Sequence, residues 1–139
     1  MVKVTEVGKL FLEVCPTAKA DWEEYLKDWE GEPPAHYIEV SVFAHHMVEC
    51  YARAQTESFE RMFQLVERLI IEGDDDTQGV AIVGFLEGLQ NIASHRSFGS
   101  VVFEPYLLPK SLSAWRGLEE MWEGKNSLMD VIRAESKRP

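Results

Sequence analysis

The stretch GDDDTQGVAIVGFLEGLQNIASHR, residues 73–96, opens on three acids and continues into an apolar run. Its period decides the fold. On a helix, Val80, Ala81, Val83, Phe85, Leu86, Leu89 and Ile92 cover nearly the whole circumference, which marks an element at the centre of a domain. Gly73 stops the helix before it. Asp74, Asp75 and Asp76 then stand where the free N–H groups of a new helix accept carboxylates, each worth about 0.3–1 kcal/mol. The three acids are consecutive rather than alternating and lack the terminal glutamate of a calcium loop, so helix capping explains them better than a cation.

Four polar residues break the apolar run. Glu87, Gln90, Asn91 and Ser94 follow i, i+3, i+4, i+7 spacing and share one direction, while Phe85, Leu89 and Ile92 face a core. A buried amide without a partner costs roughly 1–3 kcal/mol, so the strip is expected where the bundle opens, meets other polar side chains or receives a ligand. Gly84 and Gly88, four apart, let a second helix or a partner approach the backbone.

Outward from this element the chain keeps a helical period. Val4, Val7, Phe11 and Val14 predict a first helix that ends at Pro16. Thr17 is placed to cap a second, with Trp22, Tyr25 and Trp29 on one face and Gly31 at its end. Pro33 and Pro34 suit the start of a third, carrying Tyr37, Val40, Ala44, Met47, Val48 and Tyr51, although Ile38, Val40 and Val42 also alternate like a short strand. Thr56, Glu57 and Glu60 begin a fourth, where Phe59, Met62, Phe63, Val66, Leu69 and Ile70 form the cleanest amphipathic pattern in the chain. Beyond His95, residues 97–110 read as a linker or short helix. Leu112, Trp115, Leu118 and Trp122 then predict a last helix.

The expected fold is therefore all-α: a single-domain bundle of about five to seven helices arranged as stacked pairs, because each amphipathic face needs another to cover it. Residues 1–124 form the domain and 125–139 a partly helical or frayed tail. Pro16, Trp22, Trp29, Glu30 and Gly31 recur as Pro109, Trp115, Trp122, Glu123 and Gly124 at a constant offset of 93. Shared helix grammar accounts for this echo, with a duplicated hairpin as the alternative.

Composition narrows the function. The chain has 139 residues, 45% of them apolar, enough for one core. Fourteen Lys and Arg against 24 Asp and Glu leave a formal net charge of −10, which repels phosphate backbones and favours basic partners. Nucleic acid is an unexpected ligand. No apolar run reaches the roughly 20 residues of a membrane span, since Gly84, Glu87 and Gly88 interrupt the longest. Cys15 and Cys50 lie in apolar patterns without a CxxC companion and read as buried free thiols. With no basic-then-apolar leader at the start, the expected location is cytoplasmic.

GEPPAHYIEV (31–40) and VERLIIEGDDDTQGVAIVGFLEGLQN (66–91) resemble a bacterial family of small acidic helical proteins of uncharacterised function, over about residues 1–124. The acid-rich turn leading into a long helix resembles HEAT-type helix pairs, from which Gly79, Gly84 and Gly88 depart by being looser than that pattern. The resemblance implies immunity proteins, which neutralise a competitor's toxin. That implication rests on analogy of fold.

Candidate chemistry is sparse. His45 and Glu49, or His46 and Cys50, are four apart on a helix and could share a metal, yet a tetrahedral site needs a third and fourth ligand and only remote His36 or His95 offers one. Surface histidines and a core cysteine are the simpler reading, and neither metal nor other cofactor is expected. No G-x-S-x-G elbow or phosphate-binding glycine motif occurs, so no catalytic residue is assigned. The leading expectation is an acidic protein-binding module, an immunity-type inhibitor that meets a basic partner through Asp74, Asp75, Asp76, Glu87, Gln90, Asn91 and Ser94. The alternatives are a small metal- or ligand-binding bundle using His45, His46, Glu49 or Glu87, and a scaffold that oligomerises through its tryptophan-bearing faces.

Overall fold

Apolar residues recurring every three or four positions coil into seven α-helices among the described residues of the computed structural model, which describes residues 1–28 and 36–136, with side chains through 123. They are α1 (Val7–Val14), α2 (Lys19–Asp28), α3 (His36–Ala52), α4 (Phe59–Glu72), α5 (Asp75–Gly79), α6 (Gly88–Ser94) and α7 (Pro109–Ser136). A π-helical segment, Val80–Glu87, joins α5 to α6, so the opening stretch is one continuous helical rod. Short 3₁₀ turns, Val4–Glu6, Pro16–Ala18 and Ser100–Tyr106, complete the path. Trp29, Glu30, Gly31, Pro33 and Pro34, which carry part of the second and third sequence-predicted helices and of the echo, lie outside the described residues.

The rod is central, with Val80, Ala81, Phe85, Leu86 and Leu89 buried as predicted, but one side of the expected apolar circumference is open: Val83 is exposed and Ile92 only partly buried. It packs against α3, α4 and α7. Phe85 reaches Phe11 of α1 at 5.1 Å between ring centroids and Phe63 of α4 at 5.9 Å, while Phe11 stacks on Phe43 of α3 at 5.2 Å. These rings are fully buried and lock four elements into one core. The glycines lie where α3 approaches the rod closely. A β-carbon on Gly84 would stand 3.4 Å from Val40 Cβ, and one on Gly88 3.4 Å from Ala44 Cβ, so a methyl group would just touch α3 and anything larger would crowd it.

Where the sequence allowed a strand at Ile38–Val42, the chain is helical. Val40, Phe43, Ala44, Met47 and Val48 bury at helical spacing, and the stranded alternative would have buried Ile38, which is about half exposed. Thr17 does not cap α2: it sits within a 3₁₀ turn, and its side chain turns to His46 instead. In α7 the buried first-turn residue is Ser111 rather than Leu112, which is exposed. Tertiary capping causes this. Glu67 of α4 accepts from the N–H groups of Lys110 (2.8 Å) and Ser111 (2.7 Å), which turns the start of α7 toward α4. The helix then runs past residue 124 to Ser136. Among the described residues, no helix is long and apolar enough to cross a membrane.

The N-terminus clamps the turn between α4 and α5. Val2 N–H donates to Glu72 O (3.0 Å) and Asp74 N–H to Val2 O (3.2 Å), an isolated parallel bridge that pins the acid-rich turn to the body of the bundle.

Candidate functional site

The rod carries the sequence-predicted residues at two separate ends. Fifteen residues divide Asp75 from Gln90, and at about 1.5 Å of rise each they stand roughly 20 Å apart. The acidic turn and the polar strip therefore lie at opposite ends of the rod.

At the first end the polar groups are used internally. Asp74 is the N-cap of α5, its Oδ1 accepting the Thr77 N–H at 2.9 Å. The Thr77 hydroxyl and backbone N–H lying against it hold the Asp74 carboxyl below the usual aspartate range. Thr77 Oγ1 also donates to Val2 O at 3.0 Å, and Gln78 Nε2 donates to Gly73 O at 3.0 Å. Asp75 and Asp76 occupy the exposed first turn.

The second end is different. Gln90, Asn91 and Ser94 of α6 form one wall of a cleft of about 340 Å³, with Ser100 at its edge and Glu119, Trp122 and Glu123 of α7 across it. Glu87 lines an adjoining groove of about 260 Å³ together with Tyr37 and Ser41 of α3, and Asn91 and Trp122 border both. Gln90 is 7% exposed. Its Nε2 donates to Trp115 O at 3.2 Å, but its Oε1 is buried without a hydrogen-bond partner. Glu119 and Glu123 thus share the cleft with Gln90, whose Oε1 is itself buried, and the described lining has no cation. Arg116 reaches Glu119 Oε1 at 3.0 Å but also holds Glu104 at 2.6 Å, and it does not line the cleft. Charge and hydrogen-bonding capacity together fit a donor-rich cation.

The residues weighed for a metal divide in the same way. His45 is exposed, and Glu49 is held by Arg96 at 2.5 Å, which keeps its carboxyl below the usual range. His46 and Cys50 do meet, with Cys50 Sγ 3.3 Å from His46 Nε2. Three residues that sequence reasoning missed join them. Thr17 Oγ1 lies 2.7 Å from His46 Nε2 and 3.5 Å from Cys15 Sγ, and Asp21 Oδ2 stands 3.4 Å from His46 Nδ1. Among the described residues, no three His, Cys, Asp or Glu side chains converge in metal-holding geometry. Burial pushes the Cys15 thiol up, but His46, Thr17 and Ser58 outweigh it and hold the thiol below its usual value. The bond to Cys15, followed by the pull of Asp21, raises His46 against its own burial. Burial and then Cys15 push Cys50 the other way, up. No spacing along the chain signals this cluster, because Thr17 and His46 are 29 residues apart.

A third polar cluster lies between α1, α2 and α3. Glu39 is 6% exposed, its Oε1 is 4.0 Å from His36 Nδ1, and Trp22 borders it. Burial raises its carboxyl above the ordinary glutamate range.

Fold and clefts together define a small acidic helical bundle whose described residues pack around one core and leave side-chain-lined clefts at the surface. Residues 8–123 match the family described as a domain of unknown function, DUF7674, and the chain belongs to that family. No curated protein and no solved structure matches the chain.

Proposed function

We propose that the chain is an acidic helical protein-binding module whose α6–α7 cleft receives a lysine or arginine side chain from a basic protein partner. The observation that carries this reading is a cleft lined by Glu119, Glu123 and Gln90, the last with a buried, unpartnered Oε1. An orphaned buried acceptor costs roughly 1–3 kcal/mol, and a guanidinium or ammonium would supply the missing donor while neutralising the carboxylates. The net charge of −10 draws such a partner from a distance, and Asp75 and Asp76, far from the cleft, add to that field rather than to the contact. In its finer form the reading is an immunity-type inhibitor that docks on the cationic site of a basic toxin. Two free thiols suit the reducing, cytoplasmic setting in which such an inhibitor would protect its host.

The test uses an arginine-rich peptide as probe, titrated by calorimetry at low and at physiological salt. The expected result is binding that Glu119→Lys plus Glu123→Lys weakens by roughly tenfold or more, against a smaller loss for Asp75→Lys plus Asp76→Lys. Equal losses from the two charge reversals would reduce the interaction to net charge and remove the cleft from it.

A further inference from the structure

Cys15, Thr17, Asp21, His46 and Cys50 come from the end of α1, the 3₁₀ turn after it, α2 and α3; Thr17, Asp21 and Cys50 meet at the His46 imidazole, and Cys15 reaches it through the Thr17 hydroxyl at 3.5 Å. A cysteine that serves only to fill a core sits among apolar neighbours and is inert, whereas here Cys50 borders His46 and Cys15 borders the Thr17 hydroxyl bound to the same ring nitrogen. Both also line the same cavity of about 360 Å³, whose other walls include Met47, Gln55, Ser58 and Phe59. Asp21 on Nδ1 fixes the ring so that Nε2 faces Thr17 and Cys50. We propose that Cys15 and Cys50 are a hydroperoxide-reactive dithiol, with Cys15 the attacking sulfur, Cys50 the resolving one, His46 the proton carrier and Asp21 its positioning residue.

The chemistry closes without a further co-reactant. Cys15 thiolate attacks the terminal oxygen of a hydroperoxide: an S–O bond forms, the O–O bond breaks, and the departing alkoxide or hydroxide takes the proton of the His46 imidazolium. Cys50 then gives its proton to His46, and its sulfur attacks Cys15. The S–S bond forms, the S–O bond breaks, and hydroxide leaves as water with that proton. Two thiols are oxidised to one disulfide while the hydroperoxide is reduced to an alcohol, or to water, plus one water. A second thiol in the same cavity is what selects this chemistry, because acyl transfer has no use for it.

Hydrogen peroxide is the probe, with intact mass and dimedone trapping as readouts on the full chain. Wild-type protein is expected to lose two hydrogen masses and form a disulfide within one chain. Cys50→Ser is expected to stop at a dimedone-trapped sulfenic acid on Cys15, and Cys15→Ser to stay unoxidised. The wild type also tests the idea without any substitution, since Cys15 is expected to react roughly tenfold faster in the folded chain than in urea. The charged and titratable groups facing the pair are Asp21, His46, Arg53 and Glu57. Asp21→Asn withdraws support from the imidazolium, so the pH at which Cys15 becomes reactive moves up, a shift that a purely structural aspartate would not cause. Equal rates in folded and unfolded protein, trapping on Cys50 in place of Cys15, or a disulfide only between chains would overturn the proposal.

Discussion

The two ends of the central rod carry similar polar sequence and treat it in opposite ways. At the Asp74 end every hydrogen bond described goes to the protein itself: the carboxylate caps α5, Thr77 binds Val2, and Gln78 binds Gly73. At the Gln90 end one amide hydrogen is spent on Trp115 O, and the carbonyl oxygen is left buried without a partner in the wall of an acid-lined cleft. A run of charge is therefore a poor guide to a site, since its groups can be consumed by folding. A buried group with an unmet bond is the better one.

The comparison breaks most readily at the capped end. A β-carbon on Gly73 would meet the carbonyl of Leu69, which is backbone and cannot yield, and would stand 2.6 Å from Thr77 Cγ2. Gly73→Ala is expected to destabilise by about 1–3 kcal/mol in urea denaturation, yet to leave peptide affinity unchanged once the protein is folded. A matching loss of affinity would mean that the two ends are one functional unit.

Asp74→Ala should have the next largest effect, again on stability. The folded carboxyl titrates below its unfolded value of about 3.9, so its contribution is complete above that pH and is lost as pH falls through the folded value. Melting curves should show wild type above the variant at neutral pH and the two converging in strong acid. Parallel curves throughout would assign the effect to something other than the cap.

Gln90→Met should be the mildest change to the fold, because it removes the unsatisfied oxygen together with the Nε2 bond to Trp115 O, with a net effect on stability of less than about 1 kcal/mol. Its effect on peptide binding should exceed its effect on melting. The reverse order would make Gln90 a structural residue and close the cleft as a binding site.

Glu39 gives a control away from both ends. Its folded carboxyl titrates above the unfolded value, so the charged form is disfavoured by burial and stability declines as pH rises through the folded value. Glu39→Gln should raise the melting temperature at neutral pH, with the gain fading below the ordinary glutamate range. A variant less stable at neutral pH would show that the pairing with His36 outweighs burial.

Much of the fold was legible because helix faces are local. Phe59, Met62, Phe63, Val66 and Leu69 bury as their spacing predicts, and the apolar circumference of Val80–Leu89 placed that stretch in the middle. Gly84 and Gly88, four apart, point to a close helix contact, and Val40 and Ala44 of α3 lie there. The misses at Thr17 and Leu112 have one cause: the partners that decide them, His46 and Glu67, are distant in sequence. The sites divide on the same line. The polar strip and the His46–Cys50 pair are four-residue patterns within one helix. Glu119 and Trp122 across the cleft, and Cys15 and Asp21 around the imidazole, are brought in by packing.

The most direct measurement is a nitrogen-15 NMR titration of the labelled chain with the arginine-rich peptide, followed at the side-chain amide of Gln90 and the backbone amides of Asn91, Ser94, Asp75 and Asp76. An acid-lined cleft that takes a cationic side chain requires the first three signals to move early and saturate together, with those of the acidic turn barely displaced. Movement confined to Asp75 and Asp76, or spread evenly over the acidic surface, would contradict it.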